Sequence, residues 1–190
     1  MPRLEHLENL NQNKTYQVNA TIKYLHRGEN SMTGILEQEN AQSKFCIRNT
    51  EFPINEGYEY NFEKCFYSSN GWLYPRNPNT LIHQNCQQII PEPLQLQTLY
   101  ENRNQLANHY LSVALFVANV NPRKTIKKHE ETLTLDTLTC FGNGVLIDLT
   151  IWNQNIPKEI ENRWMRFDGF RLKFTGPDSM ILTSSVYSKM

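Results

Sequence analysis

The chain has no excess of charge of either sign: 19 Lys and Arg stand against 19 Asp and Glu in 190 residues. No global field therefore draws in polyanions, and any attraction for phosphate has to come from a local cluster. Cysteine is scarce, and Cys46, Cys65, Cys86 and Cys140 form no C-x-x-C pair and match no zinc spacing. No signal-like apolar segment follows Met1. The thiols are thus expected to be reduced and mostly buried, in a soluble intracellular chain. No apolar run reaches the length of a membrane span, so no membrane partner is expected. The five histidines lack metal-ligand spacing, and there is no H-E-x-x-H or P-loop pattern. No Ser or Cys sits in a nucleophile motif. Asp136, Asp148, Asp168 and Asp178 are scattered over different segments rather than paired. The expectation is a protein that is not an enzyme and holds no metal or cofactor.

What the chain does have is alternation. Tyr16, Val18, Ala20, Ile22 and Tyr24 alternate with Gln17, Asn19, Thr21 and Lys23, the period of a half-buried strand. Further strands are predicted at 31–39, 43–48, 58–66, 72–74 and 80–84, with a tight turn at Ser69-Asn70-Gly71. Pro91 and Pro93 break the pattern. Leu96, Leu99, Tyr100 and Leu106 then recur near helical spacing, which predicts a helix over 94–108. A second set of strands is predicted at 110–120, 132–140, 145–152, 164–174 and 179–187, with a short helix over 156–163. Trp164 and Phe167 are expected in the core. Each half reads as three strands, a connection and two strands, the outline of a five-stranded OB-fold barrel. The fold expected is mostly β: a leader over 1–14, a first barrel over 15–90, a helical linker over 91–109 and a second barrel over 110–190.

The segment Val145–Trp152 carries the functional signal. Val145, Ile147, Leu149 and Ile151 would line a core, which places Trp152 on the other face with Asp148 and Thr150. An aromatic side chain among polar groups is a platform on which a nucleobase can stack; the alternative is a plug closing the end of the barrel. Just upstream runs the densest basic stretch of the chain, containing Arg123, Lys124, Lys127 and Lys128, read as a phosphate-contacting loop. Phe174 offers either a second platform or packing under the Gly176-Pro177 turn. Arg171 and Lys173 share a strand face out of phase with it. In the first half, Trp72 and Arg76 are the candidates for ligand contact.

The second half resembles the second single-stranded-DNA-binding OB domain of the replication protein A large-subunit family. The resemblance rests on Val113–Val120, Thr132–Asp136, the glycine turn, Val145–Asn153 and Arg171–Gly176. It implies base stacking on Trp152 and Phe174, with Lys124, Lys127 and Lys128 as the basic contacts of the first inter-strand loop. The first half departs from the pattern: its loop at Arg27–Asn30 is short, and its third strand ends in Cys46, Ile47 and Arg48 without an aromatic. Telomere, telomerase-associated and meiotic relatives of the family are equally compatible. The resemblance implies a nuclear protein whose partners are single-stranded DNA, with RNA left open, and other OB-fold subunits of a hetero-oligomeric complex. An alternative follows from the neutral charge: an assembly subunit whose barrels bind protein and touch nucleic acid little.

Overall fold

Alternating burial, the property that marked the strands in the sequence, builds two separate closed sheets. The computed structural model describes residues 4–48, 53–75, 82–83, 88–90, 92–128, 131–157, 159–176 and 179–190. The chain divides into two units, Met1–Pro91 and Glu92–Met190.

In the first unit a single turn of 3-10 helix, Leu7–Asn9, precedes β1 (Lys14–Arg27), β2 (Met32–Gln38), β3 (Ala41–Ile47), β4 (Glu59–Tyr67), β5 (Trp72–Pro75) and β6 (Ile82–His83). The order β1-β2-β3-β5-β4 closes through a β1–β4 pairing, and β6 adds to β4 outside the ring. Only β3 and β5 run parallel within this ring. The side chains of Tyr16, Val18, Ala20 and Ile22 point inward, as their period predicts, and pack with Met32, Leu36, Phe45, Phe62 and Leu73 into one core. Tyr24 departs from the period: a bulge after Ile22 turns it, still buried, out of that core and brings Leu25 against it instead.

The second unit repeats the plan with β7 (Tyr110–Val120), β8 (Lys124–Lys128), β9 (Glu131–Gly142), β10 (Val145–Trp152), β11 (Arg163–Gly176) and β12 (Ser179–Thr183). Here β7-β9-β10-β12-β11 form the ring, closed by β11 on β7, with β10 and β12 parallel. Both rings thus have the same strand order, that of an OB-like barrel. Its ligand face is formed by the second and third strands with the loops beside them. In the second unit those strands are β9 and β10.

Several expectations are corrected. The helix is six residues, α1 (Leu96–Glu101), and it is not a free-standing linker: Leu96 and Leu99 are buried in the core of the second unit. Asn102 ends it early, donating both its backbone N–H and its side-chain amide to the Thr98 carbonyl at 3.0 Å. The described residues of 156–162 contain no helix. The last strand stops at Thr183. The basic stretch is not an open loop but strand β8, paired to β9. No helix among the described residues is long and apolar enough to cross a membrane.

Two thiols are sealed inside. Cys65 in the first core and Cys140 in the second have no solvent exposure, and burial pushes each pKa from 9.0 up to about 12. Above pH 9 the unfolded chain releases protons that the folded chain retains, so stability falls as pH rises towards 12. Each unit should lose about 1.4 kcal/mol per pH unit in this window from its own cysteine. Urea unfolding at pH 8, 9, 10 and 11 is expected to show the loss setting in near pH 9 and approaching that slope above pH 10, and Cys140→Ala should flatten it for the second unit. A decline that starts only above pH 10 would contradict the burial account.

Candidate nucleic-acid interface

The outward face of β9 and β10 is set by a two-residue turn. Asn143 and Gly144 both have positive φ, 51° and 79°, the geometry in which an Asn-Gly loop joins antiparallel strands. It pairs Gly142 with Val145, and counting outward pairs Phe141 with Leu146, Thr139 with Asp148, Thr137 with Thr150 and Leu135 with Trp152. Directly opposed residues share a face. Because Leu138, Cys140, Ile147, Leu149 and Ile151 fill the core, all four of these pairs face outward.

Trp152 is half-buried on this face, and its backbone N–H donates to Ser184 Oγ at 2.8 Å. The β8–β9 register extends the row: Lys124 stands opposite Leu135, and Ile126 opposite Leu133. Lys124, Leu135 and Trp152 therefore form one line across three strands, with an apolar strip of Ile126 and Leu133 alongside. Lys127, also exposed, pairs with Thr132 and takes the opposite phase. Lys128 pairs with Glu131 through its backbone; its side chain lies outside the described residues. Arg123 does not point to a ligand. Its guanidinium grips the Asp136 carboxylate at 2.8–3.1 Å, which raises its pKa further.

Arg171 and Lys173 pair with Thr183 and Ile181 on β12, and those residues pair with Thr150 and Asp148 on β10. By register the two cations take the outward phase, as Trp152 does, on a strand separated from β10 by β12. Arg171 is held by Asn108, to whose Oδ1 it donates at 2.9 Å. Phe174 pairs with the buried Met180, in the inward phase, and is 39% exposed at the end of its strand. The structure thus joins Trp152 and Lys124 in one row, sets Arg171 and Lys173 outward two strands away, and puts Phe174 and Lys127 in the other phase of their strands. In the first unit Trp72 pairs with Lys44, whose ammonium lies 5.4 Å from the indole centroid, so that ring already holds a cation. Arg76 lies outside the described residues.

A second feature escaped the sequence reading. Phe116 on β7 pairs with Phe141 on one side and Trp164 on the other, so Leu146, Phe141, Phe116 and Trp164 make an outward row across four strands. Phe116 and Phe141 have centroids 4.8 Å apart, and Trp164 meets Phe116 edge-on at 6.1 Å. The row ends are open, with Leu146 at 62% and Trp164 at 61% exposure. The expectation that Trp164 is core is wrong. Phe167 is core, with no exposure. The signal was present in the parity of Phe116 against Leu115 and Val117, both buried.

Among the described residues no cluster of His, Cys, Asp or Glu could hold a metal ion. No protein-family model matches the sequence, and no curated protein matches it. Solved structures do. A murine DNA-binding protein bound with double-stranded DNA is 11% identical at a TM-score of 0.57, covering 91% of this chain and 93% of that one. Tetrameric p202 HIN2 is 10% identical at 0.54, covering 95% and 96%. A replication protein A heterotrimer bound to single-stranded DNA is 14% identical at 0.51, covering 98% of this chain. What is shared is the fold. The chain spans about half the length, 51%, of the replication protein A chain it matches.

Proposed function

We propose that the second barrel binds single-stranded DNA across the outward face of β8, β9 and β10. The module would act as a binding protein without a catalytic step, in the manner of replication protein A, within a nuclear replication, telomere or recombination complex. The observation that carries this reading is the row of Lys124, Leu135 and Trp152 on the face that OB-like barrels use. Unpaired bases stack on Trp152 and rest on Leu135 and Ile126, while Lys124 and Arg171 meet phosphates, with Lys127 and Lys128 as further cations of the arm. An apolar strip favours single strands, because only unstacked bases present a π-face to it. Duplex binding draws mainly on phosphate charge, and this chain carries none in excess.

Neutralising three or four phosphates predicts a log–log salt slope of about −2 to −3 for single strands. The check is anisotropy of labelled dT20 over a salt series, with a 20-base-pair duplex as competitor. Strong competition by the duplex, or a slope near zero, would overturn the reading.

The open row from Leu146 to Trp164 favours a second reading, in which this unit docks on other OB-fold subunits. Exposed Trp beside Arg is characteristic of protein hot spots. Trp164→Glu should then abolish assembly and leave dT20 affinity unchanged; lost dT20 affinity would place the row in the DNA site instead.

A further inference from the structure

We infer that Arg123, itself partly exposed, is the positioning residue of this interface, a clamp that holds the three pieces of the stacking row in register and contacts no phosphate. The inference rests on the reading of that face as the single-strand site. Its basis is a second row lying directly beside the first. Lys124, Leu135 and Trp152 face outward; their close neighbours Arg123, Asp136 and Gln154 meet at one guanidinium. Arg123 Nε donates to Asp136 Oδ1 at 3.0 Å and Oδ2 at 3.1 Å, Nη2 donates to Oδ2 at 2.8 Å, and Nη2 also reaches the Gln154 carbonyl at 3.3 Å.

Asp136 occupies an inward position of β9, in phase with Leu138 and Cys140, and its side chain is 3% exposed. A carboxylate there needs a charged partner, because burying it alone is costly. That partner is the residue at the root of β8. Among the described residues β8 pairs with β9 alone, outside the closed ring. A two-stranded extension of this kind is marginal in water without further support. The clamp supplies support at its base, and the same guanidinium ties in the segment that follows Trp152. That segment is pinned from other sides as well. The Thr134 N–H donates to Asn153 Oδ1 at 2.8 Å, the Asn153 N–H donates to the Thr134 carbonyl at 3.0 Å, and Gln154 Nε2 donates to the Ser185 carbonyl at 3.0 Å. Preorganising a face in this way lowers the ordering cost of binding.

The test replaces both partners together, Arg123→Gln with Asp136→Asn, so that no unpaired charge is left buried. Two measurements are made on the full chain. In dT20 anisotropy over a salt series, the double variant should bind about tenfold more weakly with its salt slope unchanged. Lys124→Gln should instead reduce the slope by about 0.7, the contribution of one phosphate. In native-state hydrogen exchange, the amides of β8 and of 152–154 should exchange faster together in the double variant, while β7 and β11 keep wild-type protection. A slope reduced as in Lys124→Gln would make Arg123 a phosphate ligand and overturn the inference. Unchanged exchange in β8 would overturn it too, as would uniform loss of protection throughout β7–β12, which marks a general structural role. If the wild-type chain does not bind dT20, the functional reading fails, and the exchange measurement still decides the clamp.

Discussion

Gly169→Ala is expected to remove a large part of the second unit's stability. Gly169 sits in β11 at the bulge between Phe167 and Phe170, where the register against β7 shifts, and its φ is +70°. The left-handed conformation costs about 1–2 kcal/mol for a residue with a Cβ. The added methyl would also stand well inside 3.0 Å of the Tyr187 carbonyl oxygen and 2.8 Å from its carbon. Tyr187 cannot simply yield. It is 4% exposed and meets Tyr110 edge-on at 5.4 Å, and Ser185 and Ser188 hold the turn by donating to the Gly169 carbonyl at 3.0 and 2.9 Å. Overpacking adds about 1–3 kcal/mol, for a total near 3–4 kcal/mol, against the 5–15 kcal/mol, roughly, that a domain has in all. Hydrogen exchange should show the opening free energy of β7 and β11 falling by that amount, with β1–β4 unaffected. A fall below about 1 kcal/mol would mean that the C-terminal turn can lift away at little cost.

Gly34→Ala should be comparably damaging to the first unit, for a different reason. Gly34 pairs with Leu25 on β1 and Phe45 on β3, and the Phe45 ring lies across the space a side chain would fill. A Cβ there would be 2.8 Å from Phe45 Cζ and still closer to the ring edge and to the Tyr24 carbonyl oxygen. Phe45 has no solvent exposure and packs on Phe62 at 5.9 Å between centroids, so the ring has nowhere to move. The cost should reach the upper end of overpacking, about 3 kcal/mol, read as faster exchange in β1–β4 with β7–β12 unchanged. Retained protection in β2 and β3 would show that Phe45 has an alternative rotamer.

What could be read in the chain follows burial. β10 matches its expected bounds because Ile147, Leu149 and Ile151 meet a core on one side and Asp148 and Thr150 meet water on the other. The outward phase of Trp152 comes from that parity alone. β8 was missed because the described side chains of Lys124–Lys127 are all exposed, and a strand with no buried face leaves no period in its sequence. Trp164 lies outside the core because its indole completes an external row with Phe116 and Phe141. Leu135 as the partner of Trp152 was within reach of the sequence. It follows by counting back from the Asn143-Gly144 turn once that loop is taken as two residues. The Arg123–Asp136 clamp was not within reach, since it needs the β8 register and an inward-facing carboxylate.

The most direct measurement of the central claim is anisotropy of labelled dT20 with the wild-type chain and Trp152→Ala at one moderate salt concentration. The account predicts that the wild type binds and that the variant, still folded by circular dichroism, loses about 1–3 kcal/mol of binding. A folded variant that binds as tightly as the wild type would contradict it.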